Sequence, residues 1–167
     1  MFFAFFVFSR DYGKENGMED IKVLCDTVRE TAYAIHLYHA HGHLEKVYEN
    51  ALAHRLRKLG LDVKQQHPLT VLDEDGTVIG EFLADVIVND CLIVELKACR
   101  ALANEHTAQL LGYMKSARTE HGLLINFGSY KFEIKKYILS HETAQRTQRS
   151  GEKLLGFLFA LSAFFCG

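Results

Sequence analysis

One proline (Pro68), no tryptophan and four cysteines are all that the 167 residues hold of these types. With no low-complexity tract and no internal repeat, collagen-like, proline-rich and solenoid architectures are excluded. The cysteines, Cys25, Cys91, Cys99 and Cys166, contain no C-x-x-C pair and match neither a zinc ribbon nor a disulfide framework. They are expected to be free, mostly buried thiols in a reducing cytoplasm. An excess of positive charge is missing too: 19 Lys and Arg stand against 21 Asp and Glu, for a net charge of −2 and a pI near 6.5. Any nucleic-acid contact must then rest on a local basic surface or on a metal. Long apolar runs are also lacking. The stretch 154–167, LLGFLFALSAFFCG, is short of the roughly 20 residues a spanning helix needs. The apolar stretch at 2–8 has no basic region before it and no small cleavage-site residues after it, so it makes a poor signal peptide. No stable membrane association is expected.

What is present is a composition of 49% hydrophobic and 24% charged residues, suited to one compact domain. Residues 1–17 read as an apolar extension, 18–140 as the domain, and 141–167 as a polar linker with an apolar tail. From Ile21 the apolar positions Ile21, Leu24, Val28, Ala32 and Ile35 follow the three-four spacing of an amphipathic helix. Gly42 breaks it, and a second helix is expected over about 44–59. The period then shortens. Residues 63–66 and 69–72 read as strand, with Pro68 marking an edge or bulge. Asp73-Glu74-Asp75-Gly76 is a turn. Residues 77–88 and 91–97 read as strands joined by a tight Asn89-Asp90 hairpin turn. A helix over 103–118, a buried apolar strand over 122–127 and a last strand over 130–138 complete the order ααβββαββ. This is a mixed sheet flanked by helices, in the α/β (α+β) class.

Charge inside the apolar run GEFLADVIVNDCLIVELKA (80–98) is the strongest chemical signal. Glu95 and Lys97 are two apart on a strand and project from one face. The two-residue turn would pair Val88 with Cys91 and set Asp85 roughly opposite Val94, within reach of Glu95. Charges in such a run are expensive unless paired or metal-bound. Two carboxylates beside a lysine can hold a hard cation such as Mg2+ through oxygen, and the lysine can orient water or stabilise charge on a phosphate. A plain Glu95–Lys97 ion pair on an exposed strand face fits the local pattern equally well. A second cluster, His36, His39, His41 and His43, invites a zinc reading. However, Gly42 interrupts the helix, no cysteine lies nearby and H-E-x-x-H is absent. These histidines are expected at the end of one helix and in the turn to the next, mostly in water.

An Asp, a nine-residue gap and then Glu-x-Lys on consecutive strands, between helices, resembles the PD-(D/E)XK nuclease superfamily. Gly42-x-x-Glu45-x-x-Tyr48 resembles the signature of its GxxExxY family, and Gln109-x-x-x-Tyr113 is similar to the helix motif of its RecB-like branch. The match runs from about Ile21 to Leu139. One departure is Ala84-Asp85, with no proline before the aspartate. The resemblance implies a restriction-endonuclease-like core, with Asp85, Glu95 and the Leu96 carbonyl as metal ligands helped by Glu45, and Lys97 as the catalytic lysine. Gln109 and Tyr113 would meet substrate phosphate or hold Lys97, and Gly42 and Tyr48 would serve structure, Tyr48 as core. It implies a metal-dependent nuclease using Mg2+ or Mn2+ on DNA, with RNA second. An iron–sulfur cluster is not expected, because only Cys166 lies downstream of Tyr113. The alternative is a catalytically inactive nuclease-fold module that binds nucleic acid or a protein. Arg55, Arg57, Lys58, Lys115 and Arg118 are candidates for a phosphate-contacting rim.

Overall fold

The computed structural model describes residues 17–139. The expected extension and tail lie outside the described residues, Gly17 excepted. Helix α1 spans Gly17–His39, and its spaced apolar residues Leu24, Val28, Ala32 and Ile35 are all buried. Helix α2 spans Glu45–Lys58 and buries Tyr48, Leu52 and Leu56 completely. Between them the chain turns through Ala40 (φ 53°) and Gly42 (φ 113°), a left-handed backbone that glycine adopts without strain. Among the described residues no helix is long and apolar enough to cross a membrane.

Five strands follow in sequence order: β1 (Val63–Leu72), β2 (Val78–Val88), β3 (Leu92–Lys97), β4 (His121–Asn126) and β5 (Glu133–Ile138). Helix α3 (Asn104–Ser116) connects β3 to β4, the one parallel pair; the other neighbours are antiparallel. Pro68 sits in β1, at the sheet's edge, where a missing N–H does least harm. Each face of the sheet carries its own core. On one, α1 and α2 pack through Val28, Ile35, Tyr48 and Leu52 against Val86, Val94, Leu96 and Phe127. On the other, Leu110, Tyr113 and Met114 of α3 pack against Ile87, Ile93 and Leu124. Residues 122–126 are buried throughout, as a strand covered on both faces requires.

The β2–β3 hairpin differs from expectation. Val88 pairs with Leu92, not Cys91, so three residues make the loop. Asn89 and Asp90 are both left-handed (φ 50° and 54°). Asn89 is tied to Asp62 twice: its N–H donates to the Asp62 carbonyl, and its Oδ1 accepts the Asp62 N–H, each at 2.9 Å. This tether holds the turn open and leaves Cys91 outside the ladder. Cys91 is therefore exposed, whereas Cys25 is buried and Cys99 half-buried. The last ladder pair is Val86–Val94, so one further step sets Asp85 level with Glu95 instead of Val94.

Candidate active site

The end of the sheet carrying Lys97 gathers the predicted carboxylates. Beyond Val94 the β2–β3 ladder stops, and Asp85 substitutes a side chain for the missing main-chain partner. Its Oδ2 accepts the Leu96 N–H at 3.0 Å. Its Oδ1 accepts from the Gln66 amide at 3.2 Å. Glu95, 1% exposed, accepts from the Lys97 ammonium through Oε1 at 2.6 Å. Glu45, the first residue of α2, reaches across to accept the Ala98 N–H at 3.1 Å. The N-terminus of α2 faces this end, since Glu45, its first residue, touches Ala98. Partial positive charge there favours anions.

The electrostatics follow from crowding. Burial, then the neighbouring Asp85 charge, pushes the Glu95 carboxyl up to about 7, against the pull of Lys97. Glu45 is raised for the same reasons, burial first. Burial alone would lower the Lys97 ammonium, but the hydrogen bond and charge of Glu95, with Glu45 and Asp85 behind it, carry it upward. Lys97 is thus held as a hydrogen-bond donor to Glu95. The Glu95–Lys97 pair is nearly enclosed, which disposes of the exposed-face ion pair.

Glu95 Oε2 is buried and has no hydrogen-bond partner. A bare carboxylate oxygen in that position is costly unless a cation meets it. Among the described residues no three His, Cys, Asp or Glu side chains close around a common point, the histidine cluster included. Asp85 and Glu95 are oxygen donors, the type that a hard cation such as Mg2+ takes as one or two carboxylates beside several waters.

Gln109 and Tyr113 lie on α3 and bond to each other at 2.7 Å; the hydrogen bond of Lys97 goes to Glu95. Tyr48 is core: its hydroxyl donates to the Ala40 carbonyl at 2.8 Å and accepts the His43 N–H at 3.2 Å, closing the turn at Gly42. His36 departs from the expected solvent-facing position; it is 8% exposed, against Phe132. The basic rim does not form. Helix α2 runs away from Glu45, which sets Arg55–Lys58 roughly 15–20 Å along its axis. There Arg57 bonds to Gln65 and the Val63 carbonyl. Lys115 and Arg118 precede β4, whose far end carries the site.

Three residues were missed from sequence. Gln66 is left-handed (φ 49°) and bridges Glu49 and Asp85. Glu49, 3% exposed, accepts from Gln65, Gln66 and Lys46. Asn126, fully buried beside Lys97, accepts the Cys99 and Gly128 N–H groups and so pins the chain after β3. A Cβ on Gly128 would fall 2.3 Å from the Cys99 nitrogen, so only glycine fits there. The polar Gln65-Gln66 pair and the lone Asn126 in GLLINFG were the available signals.

No curated protein matches the chain. A solved structure, described as the crystal structure of SSO0001, aligns with a TM-score of 0.48 at 18% identity over 65% of this chain. The aligned region spans 57% of that protein's chain. The sequence profile of the PD-(D/E)XK nuclease superfamily matches residues 22–137, which is most of the described domain, and the chain belongs to that superfamily.

Proposed function

We propose that the protein is a metal-dependent nuclease that hydrolyses phosphodiester bonds, with DNA ahead of RNA as substrate. The observation that carries this reading is Asp85 level with Glu95 at the point where the ladder ends, with Lys97 2.6 Å from Glu95 and Glu95 Oε2 left bare. Asp85, Glu95 and the Leu96 carbonyl would hold Mg2+ or Mn2+, with Glu45 close by. The cation, when bound, neutralises phosphate charge and makes water a better nucleophile.

The chain's own residues supply the rest. Lys97, kept cationic by its carboxylate neighbours, donates hydrogen bonds to the attacking water or to a phosphate oxygen as charge builds there. The Leu96 N–H fixes Asp85 from one side and Gln66 from the other, so the carboxylate is oriented before substrate arrives. Glu45, anchored on Ala98, adds negative charge that keeps Lys97 protonated. Gln109 and Tyr113 are assigned to the substrate side. The Gly42, Glu45 and Tyr48 spacing and the Gln109–Tyr113 pair favour the GxxExxY family and the RecB-like branch within the superfamily.

The test is cleavage of linear, circular and single-stranded DNA, and of RNA, in Mg2+, Mn2+ or EDTA. Glu95→Ala and Lys97→Ala should each lower the rate by about 10²–10³-fold or more. Cleavage that persists in both variants sinks the assignment. Absence of cleavage with every substrate, together with calorimetric binding of nucleic acid or a protein, would favour the inactive module.

A further inference from the structure

Helix α2 buries one acidic residue to which the proposed chemistry gives no part. Glu49 is 3% exposed, on a helix whose Tyr48, Leu52, Ala53 and Leu56 are fully buried. A carboxylate there costs stability that an apolar side chain would not. Both of its oxygens accept hydrogen bonds. Oε1 takes the Lys46 ammonium at 2.6 Å and the Gln65 amide at 2.8 Å, and Oε2 takes the Gln66 amide at 2.8 Å. Lys46 is 55% exposed, and an ion pair with it needs no buried partner. The bonds into β1 are what burial of Glu49 achieves.

One of those bonds leads to the site. The same Gln66 Nε2 stands 3.2 Å from Asp85 Oδ1, so its two hydrogens serve one carboxylate each. The Asp85 bond is the longer of the two and lies in exposed surroundings. There a hydrogen bond returns about what ordering a glutamine side chain costs. The shorter, less exposed bond to Glu49 tips that balance. Glu45, one helical turn earlier, holds the Ala98 N–H. One helix thus grips β1 through Glu49 and the segment after β3 through Glu45, with Asp85 on β2 between them. We propose that Glu49 is a positioning residue for the cation site: through the Gln66 amide it fixes the Asp85 carboxylate in the orientation that takes a divalent cation. The proposal rests on the nuclease reading, in which Asp85 is a metal ligand, and adds to it a residue outside the Asp85, Glu95 and Lys97 set.

A purely structural tie between α2 and β1 does not account for this arrangement. Gln65 alone supplies such a tie: its Nε2 reaches Glu49 and Asn50, and its Oε1 accepts from Arg57. In a regular strand Gln65 and Gln66 would point to opposite faces. The left-handed backbone at Gln66 breaks that alternation, so both amides reach Glu49 and the second also reaches Asp85.

The test is isothermal titration calorimetry of the full chain with Mn2+, in the absence of nucleic acid. Glu49→Ala should weaken Mn2+ binding about tenfold, and Gln66→Ala should do the same. Because the two act in series, the double variant should also stand about tenfold below wild type, where independent effects would multiply to about a hundredfold. Glu49→Gln, which offers one oxygen to three donors, should move in the same direction and carries the comparison if Glu49→Ala fails to fold. Ile93→Ala, which loosens the apolar core, should bind Mn2+ as wild type does, and so separates positioning from loss of stability. Wild-type affinity in the Glu49 variants, a loss of about a hundredfold in the double variant, or an equal loss in Ile93→Ala overturns the proposal. Cleavage assays run beside these separate the two readings. Mn2+ binding and cleavage that do not depend on Glu49 defeat the positioning role alone; a wild type that neither binds Mn2+ nor cleaves defeats the nuclease reading and the positioning role with it.

Discussion

β3 is one short strand with two kinds of surroundings. Over Leu92–Val94 its main chain pairs with β2 on one side and β4 on the other, and its side chains are fully buried in the two cores. Over Glu95–Lys97 only β4 remains, and a side chain, that of Asp85, takes the Leu96 N–H where β2 should have been. The first half satisfies its valences within the protein. The second leaves Glu95 Oε2 and, on the next strand, Asn126 Nδ2 buried and without partners. The difference teaches how uncompensated charge arises within a stable sheet: the ladder stops one pair early, and two carboxylates come level in the gap. Burial holds from Leu92 to Leu96 and loosens only at Lys97, while the bonding changes from Glu95 onward.

The largest expected effect breaks the apolar half alone. Ile93 is fully buried against α3, so Ile93→Ala should lower unfolding free energy by about 2–5 kcal/mol. Cleavage per folded molecule should stay near wild type at a temperature where the variant is native. Urea denaturation followed by circular dichroism, with rates normalised to the folded fraction, checks this. If the folded variant is as inactive as Lys97→Ala, the two halves are not separable and the division fails.

The next effect sharpens the polar half through pH. Glu95 titrates at about 7 in the fold, against 4.5 without the fold's influence. Between those values the folded chain holds a proton that the unfolded chain has released, so metal-free stability falls as pH rises from about 4.5 through 7 and then levels. At pH 8 the burden is about 3 kcal/mol. Glu95→Gln should flatten this slope and raise the metal-free Tm at pH 8. Mg2+ should raise the wild-type Tm at that pH and leave the Gln variant nearly unmoved. Parallel Tm–pH curves for the two proteins would show that Glu95 carries no such burden.

Much of this was legible from residue types alone. Element order followed from periodicity, because each helix buries a single face and β4 is buried on both. Asp85, Glu95 and Lys97 stood out as charges within apolar runs, and the structure brings them to one place. What the sequence hid was tertiary. The Asn89–Asp62 tether, which shifts the hairpin register by one, joins residues 27 apart. The expected basic rim failed because the direction of a helix from the site cannot be read from its charges. His36 looked like its neighbours in the HLYHAHGH run, yet Phe132, far along the chain, buries it. Gln66 looked like an ordinary polar residue on an edge strand, since nothing local announces a left-handed backbone.

That last residue offers the smallest and most discriminating break. Gln66 stands opposite Asp85 at a position the β1–β2 pairing skips, with φ at 49°. A non-glycine residue there costs about 1–2 kcal/mol, and the fold offsets the strain with amide bonds to Glu49 and Asp85. Gln66→Ala keeps the strain and loses both bonds; Gln66→Gly loses the same bonds but relieves the backbone. Gly should therefore be more stable than Ala by about 1 kcal/mol in urea melts. Both should cleave several-fold more slowly than wild type, because Asp85 is then held by the Leu96 N–H alone. Equal stability of the two variants would mean that the left-handed turn is not kept in solution. Wild-type rates in both would mean that Leu96 alone orients Asp85, and that the polar half of the sheet needs no support from β1.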